Sequence, residues 1–220
     1  MSTRGFTVID NFLDEEAWGA LWTEFQFMEL LPVSRTVGAW KLDDGAPLGG
    51  HEILTPNRDA ELIHDPKKPR QYPTETALDA VITGLLAESE AFAPIVGDEW
   101  QRISARAYVY PHGTGLSWHR DDSEIYTGAF IYYAHPHWNA HWGGELMIAD
   151  EAQDDLSIMA HRFENEAYSE ALLERGMGHF IMPKPNRMVL LGGAPHAIAP
   201  VSPAAGQNVR ASVVGFFLRN

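Results

Sequence analysis

The chain has 220 residues, 45% of them hydrophobic and 11% aromatic, enough apolar surface for a packed core and too much for a disordered chain. Its net charge of -14, from 30 acidic against 16 basic side chains, opposes binding to nucleic acid or anionic lipid, because phosphate neutralisation needs a basic surface. The absence of cysteine excludes a disulfide framework, a thiolate metal site and a cysteine nucleophile, and no apolar run approaches the roughly 20 residues that span a bilayer. The start, MSTRGFTVID, has no signal-peptide apolar region, so a soluble cytoplasmic protein, monomeric or homodimeric, is expected.

In chain order, FTVID at 6–10 reads as a short strand, and residues 11–14 supply capping groups for an amphipathic helix over 15–31 with acids in its first turn. Residues 33–73 are rich in Gly, Pro and Asp and read as irregular, with short strands around 36–42. Leu78, Val81, Ile82, Leu85 and Leu86 fall at helical spacing and predict a second helix over 74–92. From Gln101 the pattern changes to short β-prone runs, RISARAYVY, YTGAFIYYA, GGELMIA, HFIMP, RMVLLG, HAIAPV and VRASVVGFFL, parted by Gly, Pro and Asn. Strands at that density indicate a closed or sandwiched β core. Residues 151–176 are charged and partly helical in pattern, which predicts an insertion lying over that core as a lid, with the acidic stretch 151–155 solvated. No repeat or linker divides the chain. The expected architecture is one domain over 1–220, mainly β with flanking helices: a helical N-terminal part, 1–100, and a β core, 101–218.

Within that core, SWHRDD stands out. On a strand, residues i and i+2 share a face, so His119 and Asp121 point together while Arg120 points away. His196, in GGAPHAIAPV, begins another strand 77 residues on (196 minus 119). Two histidines and one carboxylate on one face of an octahedron leave three open positions, the arrangement of non-haem Fe(II) oxygenases. An H-x-D pair alone is weak evidence; the segment after His196 strengthens it. HAIAPV-SPAAGQN-VR reads as two strands and a turn-rich loop whose midpoint is Pro203, so a symmetric hairpin sets Arg210 opposite His196, about 5 Å away at Cβ. A guanidinium there can clamp one carboxylate of a dicarboxylate whose other end chelates the metal.

Other groups carry less. His135, His137 and His141 in AHPHWNAHWGG alternate with Trp138 and Trp142 and are interrupted by Pro136, which favours a substrate-contacting loop at the barrel mouth over a second metal site. Trp118, Arg120 and Asp122 flank the candidate ligands and either shape the pocket or serve structure. Gly143-Gly144 and Gly192-Gly193 read as turns before strands, and GGAP lacks the pattern of a phosphate loop.

YPHGTGLSWHRD, AFIYYAHPHW, WGGELMI and PHAIAPVSPAAGQNVRASVVGFF, in that order, resemble the Fe(II)/2-oxoglutarate-dependent dioxygenases, specifically their prolyl 4-hydroxylase-like branch. The likeness covers roughly 101–218, with a looser match in FTVIDNFLDEEAW. It implies a double-stranded β-helix, that is a jelly roll or cupin-like barrel, using Fe(II), 2-oxoglutarate as cosubstrate and O2. It implies His119, Asp121 and His196 as iron ligands, Arg210 as partner of the 2-oxoglutarate C5 carboxylate, Tyr133 as a second group on that carboxylate, and Tyr110 against the chelating end. Tyr108 and Tyr132 stay open as alternatives for the tyrosines. The interval from His196 to Arg210 is longer than in the family's shorter versions, which implies a longer hairpin loop. Related halogenases have Gly or Ala at the carboxylate position, so Asp121 favours hydroxylation over halogenation. The expected reaction is hydroxylation of an unactivated C–H bond in a small molecule, an amino acid or natural-product intermediate. A peptidyl prolyl hydroxylase is the rival within the class, and a cupin-like metal sensor or O2-independent metalloenzyme the rival outside it.

Overall fold

The computed structural model describes residues 5–35, 43–121, 124–150, 170, 173, 174 and 176–219. The strands predicted around 36–42, and nearly all of the insertion predicted over 151–176, lie outside the described residues, as does Asp122.

β1 (Phe6–Asp10) leads into α1 (Glu15–Phe25), where the Asp14 carboxylate accepts a hydrogen bond from the Ala17 amide and Glu15 and Glu16 sit at the positive end of the helix. The helix ends at Phe25, not at 31. The amides of Gln26, Phe27 and Met28 fold back onto the carbonyls of Thr23 and Glu24, and Phe27 is exposed, so no buried stripe carries the helix further. The chain then forms β2 (Leu31–Pro32), β3 (Asp43–Asp44) and β4 (Leu48–Leu54). β4 lies inside the stretch expected to be irregular. Its alternation is hidden because Gly49 and Gly50 are both buried and the register slips between Gly49 and Glu52.

The helix predicted over 74–92 is two helices, α2 (Asp79–Ala87) and α3 (Ser89–Val96), parted at Glu88. Residues 74–78 precede them, with the amides of Thr74 and Glu75 donating to the Asp79 carboxylate. Strands follow as β5 (Arg102–Tyr110), β6 (Gly115–His119), β7 (Tyr126–Tyr133), β8 (Leu146–Ala149), β9 (Gly178–Ile181), β10 (Arg187–Leu191), β11 (His196–Ile198) and β12 (Arg210–Leu218).

All ladders between these strands are antiparallel, and they build two sheets. The larger runs β1-β10-β7-β12-β5-β4-β2 and the smaller β3-β6-β11-β8-β9, the sandwich of a double-stranded β-helix. Both sheets recruit strands from the first 100 residues, so that part is not helical alone. One core lies outside the large sheet, where Leu21, Val81, Ile82, Leu85 and Val96 from the helices meet Ile103, Ala105, Phe130 and Phe217. The other lies between the sheets, with Ala129, Ile131, Leu146, Ile148 and Ile198. Gly215 marks how closely β12 and β5 approach: a Cβ there would meet the Ser104 carbonyl at 1.8 Å. Among the described residues no helix is long and apolar enough to cross a membrane.

One predicted geometry is overturned. β11 and β12 are not a hairpin: β11 lies between β6 and β8 in the small sheet, and β12 between β7 and β5 in the large one. Pro200 follows closely on β11 and has no N–H to extend a ladder, and the chain crosses between sheets through a 3-10 turn at Pro203–Ala205.

Candidate active site

β6 ends at His119, whose register partner on β11 is His196, and His196 in turn pairs with Ile148 on β8. The two imidazoles therefore stand side by side on the inner face of the small sheet, their ring centroids 4.3 Å apart. Each Nδ1 lies against a backbone carbonyl, His119 at 2.8 Å from Ser117 and His196 at 2.9 Å from Ala194. A carbonyl only accepts, so these contacts place the proton on Nδ1 and make Nε2 the nitrogen whose lone pair can bind a cation.

Asp121 joins them, though not by strand alternation. It lies past the end of β6, where Arg120 Nε donates to the Gly193 carbonyl at 3.3 Å and turns the chain inward. Its carboxylate oxygens come to 3.7 Å from His119 Nε2 and 3.5 Å from His196 Nε2. Those separations are long for hydrogen bonds but suit ligands about 2.1 Å from one shared ion, which sit about 3 Å apart at right angles. The three ligating atoms all lie within 4.8 Å of one another, and among the described residues this is the one such group. Two neutral nitrogens, one carboxylate and a half-buried setting suit a divalent iron with open positions.

Arg210 opens β12 opposite Tyr110 and is fully buried. Its Nε donates to the Gly144 carbonyl at 3.0 Å, and its terminal nitrogens reach Ser212 Oγ and the Tyr133 hydroxyl, both at 3.4 Å. The guanidinium carbon stands 4.8 Å from the Tyr133 ring centre and 5.7 Å from that of Tyr110. Burial pushes the Tyr133 hydroxyl pKa upward against the pull of Arg210, so the phenol stays a neutral donor. Among the described residues no carboxylate pairs with this guanidinium. A buried cation with only neutral partners costs several kcal/mol, and an anionic ligand removes that cost.

Strand alternation separates the tyrosines. Tyr133 faces the space between the sheets, whereas Tyr132 faces the helices and donates to Asn186 Oδ1 at 2.9 Å. Tyr108 and Tyr110 share the inner face, and Tyr110 is the one beside Arg210.

Within residues 134–144, His135 departs from the substrate-contacting role expected of that loop. His135 is buried, with its two ring nitrogens 3.1 Å from the Ala211 carbonyl and 2.8 Å from that of Pro183, so it can reach neither substrate nor metal. Burial lowers its pKa to about 4. His137 and His141 are exposed, and Trp138 packs edge-on against Trp142 at 5.4 Å. The end of the segment, at Gly144, braces Arg210. Gly143 and Gly144 both have positive φ, and a Cβ on Gly144 would fall 3.0 Å from Arg210 Cδ and 3.3 Å from the Trp138 ring. Gly144 and Ser212 were not singled out as functional in the sequence. Ser212 carried a signal, since it lies two residues from Arg210 on one strand face; the role of Gly144 depends on a contact between sheets and carried none. A separate groove of about 810 Å3, lined by Lys68, Arg70 and Arg102 among others, lies at the far end of β5 from Tyr110 and contains none of these groups.

The family model described as the 2OG-Fe(II) oxygenase superfamily matches residues 105–218. No curated protein matches the chain. Among solved structures, the chain is similar to a prolyl-4-hydroxylase from Pseudomonas putida, at 20% identity and TM-score 0.63, covering 100% of this chain and 95% of that one. A prolyl hydroxylase from Trichoplax adhaerens, solved with a hypoxia inducible factor peptide fragment, matches at 16% identity and TM-score 0.62, covering 98% and 84%. HygX from Streptomyces hygroscopicus, solved with nickel, 2-oxoglutarate and hygromycin B, matches at 12% identity and TM-score 0.58, covering 99% and 84%. At such identities the likeness is one of fold.

Proposed function

The chain belongs to the 2OG-Fe(II) oxygenase superfamily, an enzyme family using Fe(II), 2-oxoglutarate and O2, and from that premise we propose that it hydroxylates an unactivated C–H bond of a small molecule through iron held by His119, Asp121 and His196. The observation that carries the reading is Arg210: a fully buried guanidinium without a carboxylate partner among the described residues, in the space between the sheets that also holds the His-Asp-His group. A dicarboxylate answers both ends of that arrangement.

The bound iron and cosubstrate supply the oxidation: O2 and 2-oxoglutarate give succinate and CO2, and the second oxygen atom enters a C–H bond of the substrate. The chain's own part is placement. The Ser117 and Ala194 carbonyls hold both imidazoles in the tautomer that presents Nε2. Asp121 supplies the one negative ligand, and its presence favours hydroxylation over halogenation. Arg210 takes the C5 carboxylate, with the Tyr133 hydroxyl as a second donor and the Gly144 carbonyl fixing the direction of the guanidinium. Tyr110, the register partner of Arg210 on β5 with its ring 5.7 Å from the guanidinium carbon, would line the cosubstrate pocket at the Arg210 end, not at the chelating end that the family resemblance implies for it. The apolar walls at Ile131, Leu146 and Ile148 exclude water from the reacting centre.

Peptidyl proline is the rival substrate, suggested by the two prolyl hydroxylases of like fold; HygX shows the same fold bound to a compound that is not a peptide. Anaerobic addition of Fe(II) and 2-oxoglutarate tests the cofactor assignment. The parent is expected to develop the visible charge-transfer absorption of the chelate, His119→Ala to lose it, and Arg210→Ala to need roughly 100-fold more 2-oxoglutarate, the cost of one buried charge-assisted pair. Equal titrations in all three proteins sink the assignment.

A further inference from the structure

A second cation faces the same interior. On β5, Ala105, Ala107 and Val109 pack toward the helices, whereas Tyr108 and Tyr110 pack between the sheets, so Arg106 belongs to the inner face. Its register partner on β12, Val214, also packs between the sheets. β5 and β6 are joined by residues 111–114 alone, and each strand runs four residues from that turn to the group of interest, Tyr110 back to Arg106 and Gly115 on to His119. At strand rise that is about 13 Å on each side, so Arg106 stands level with the candidate metal ligands on the facing sheet, well away from Arg210.

The partners of Arg106 leave it room. One terminal nitrogen donates to the Gly50 carbonyl at 3.2 Å, and the other stands 4.0 Å from a Glu52 oxygen, too far for a hydrogen bond. The Arg106 side chain is 17% exposed and that of Glu52 56%. Glu52 is the register partner of Arg106 on β4, so the two opposite charges lie side by side without closing on each other. Tyr126 stacks on Phe216 with ring centres 4.4 Å apart, and its hydroxyl pKa is raised first by burial and then by the charges of Asp121 and Glu52. Phe216 packs between the sheets two residues from Val214 on β12, so the stacked pair gives the inner face an aromatic wall close to Arg106.

We propose that Arg106 and Glu52 select the substrate of this oxygenase, and that the substrate is a free α-amino acid whose carboxylate meets Arg106 and whose ammonium meets Glu52. The inference deepens the hydroxylase reading and rests on it. A zwitterion suits both halves of an open ion pair, and being neutral overall it is not repelled by a protein of net charge -14. A peptide presents neutral amides, which leave both charges without full partners on binding.

The test offers the common amino acids, each as the free acid and as its N-acetyl carboxamide, together with a proline-containing peptide. Binding is read anaerobically as the change each probe causes in the Fe(II)–2-oxoglutarate absorption, and turnover as succinate formed on admitting air. At least one free amino acid is expected to perturb the absorption and stimulate succinate release, with its blocked form weaker. Arg106→Gln is expected to weaken that binding roughly 10- to 100-fold, and Glu52→Gln about 10-fold, as charge-assisted hydrogen bonds are lost. Arg106→Lys is expected to recover part of the loss, and all three variants to bind 2-oxoglutarate like the parent. Blocked or peptide probes binding as well as free acids, no response to any free amino acid, or parental binding by Arg106→Gln each overturns the inference. A parent that forms no chelate sinks the oxygenase reading and this inference together, whereas an intact chelate with no amino-acid response removes this inference alone.

Discussion

The two faces of the seven-stranded sheet are built from the same strands, offset by one residue, yet they differ in chemistry. Toward the helices, β5, β7 and β12 present Ala105, Ala107, Phe130, Ala211, Val213 and Phe217. Toward the small sheet the alternate positions include Arg106, Tyr108, Tyr133, Arg210 and Ser212. The helix face gains free energy by removing apolar area from water, about 25 cal/mol per Å2. The inner face spends part of that surplus on holding a guanidinium away from water. A sheet with one such face is stable enough to keep the other incompletely satisfied, and an incompletely satisfied face is what binds ligands.

The sharpest way to break this division is to damage the helix face alone. Phe130 is fully buried and meets Phe217 edge-on with ring centres 6.0 Å apart. Phe130→Ala is expected to cost about 3–5 kcal/mol, read as a lower denaturant midpoint, while the folded fraction still forms the 2-oxoglutarate chelate in the cold. Loss of the chelate from fully folded protein would mean that the two faces are not separable.

His135 tests the boundary between the faces. Burial holds its pKa at about 4 against an ordinary 6.5, so the unfolded chain takes up a proton at a pH where the folded chain does not. Its contribution is whole above pH 6.5 and is lost as pH falls from 6.5 toward 4, by roughly 3 kcal/mol over that window. Urea midpoints at pH 7 and pH 5 are expected to differ markedly in the parent and little in His135→Gln. Equal pH sensitivity in both would show that other groups govern the acid limb.

Much of this division was readable before any coordinates. β7 and β12 announce themselves as apolar runs, and the H-x-D pair with a distal histidine pointed to one ion. The reasons behind some of those readings differ from the structure. Asp121 reaches the histidines by leaving its strand, and Arg210 reaches the interior from the opposite sheet rather than across a hairpin. Contacts between sheets leave no period in a sequence, which is why Gly144 was legible as a turn and not as the acceptor that aims Arg210. β4 was hidden because its glycines and bulge erase alternation. Asn186 lay outside every pattern: positive φ and long-range bonds to Leu13 and Tyr132 make it a strut between α1's entry and the sheet.

The smallest change contrasts two neighbours that are chemically identical. Tyr132 and Tyr133 are consecutive on β7 and both fully buried, but one hydroxyl meets Asn186 on the helix side and the other Arg210 between the sheets. Tyr132→Phe removes a buried hydrogen bond and is expected to cost about 1 kcal/mol of stability, with 2-oxoglutarate affinity unchanged. Tyr133→Phe removes the donor proposed for the cosubstrate carboxylate and is expected to raise the 2-oxoglutarate Kd about 5-fold with little change in midpoint. Denaturation and anaerobic titration on the two proteins give four numbers. If both variants lose affinity, or both lose only stability, the assignment of one face to folding and the other to chemistry fails at the place where it is drawn most finely.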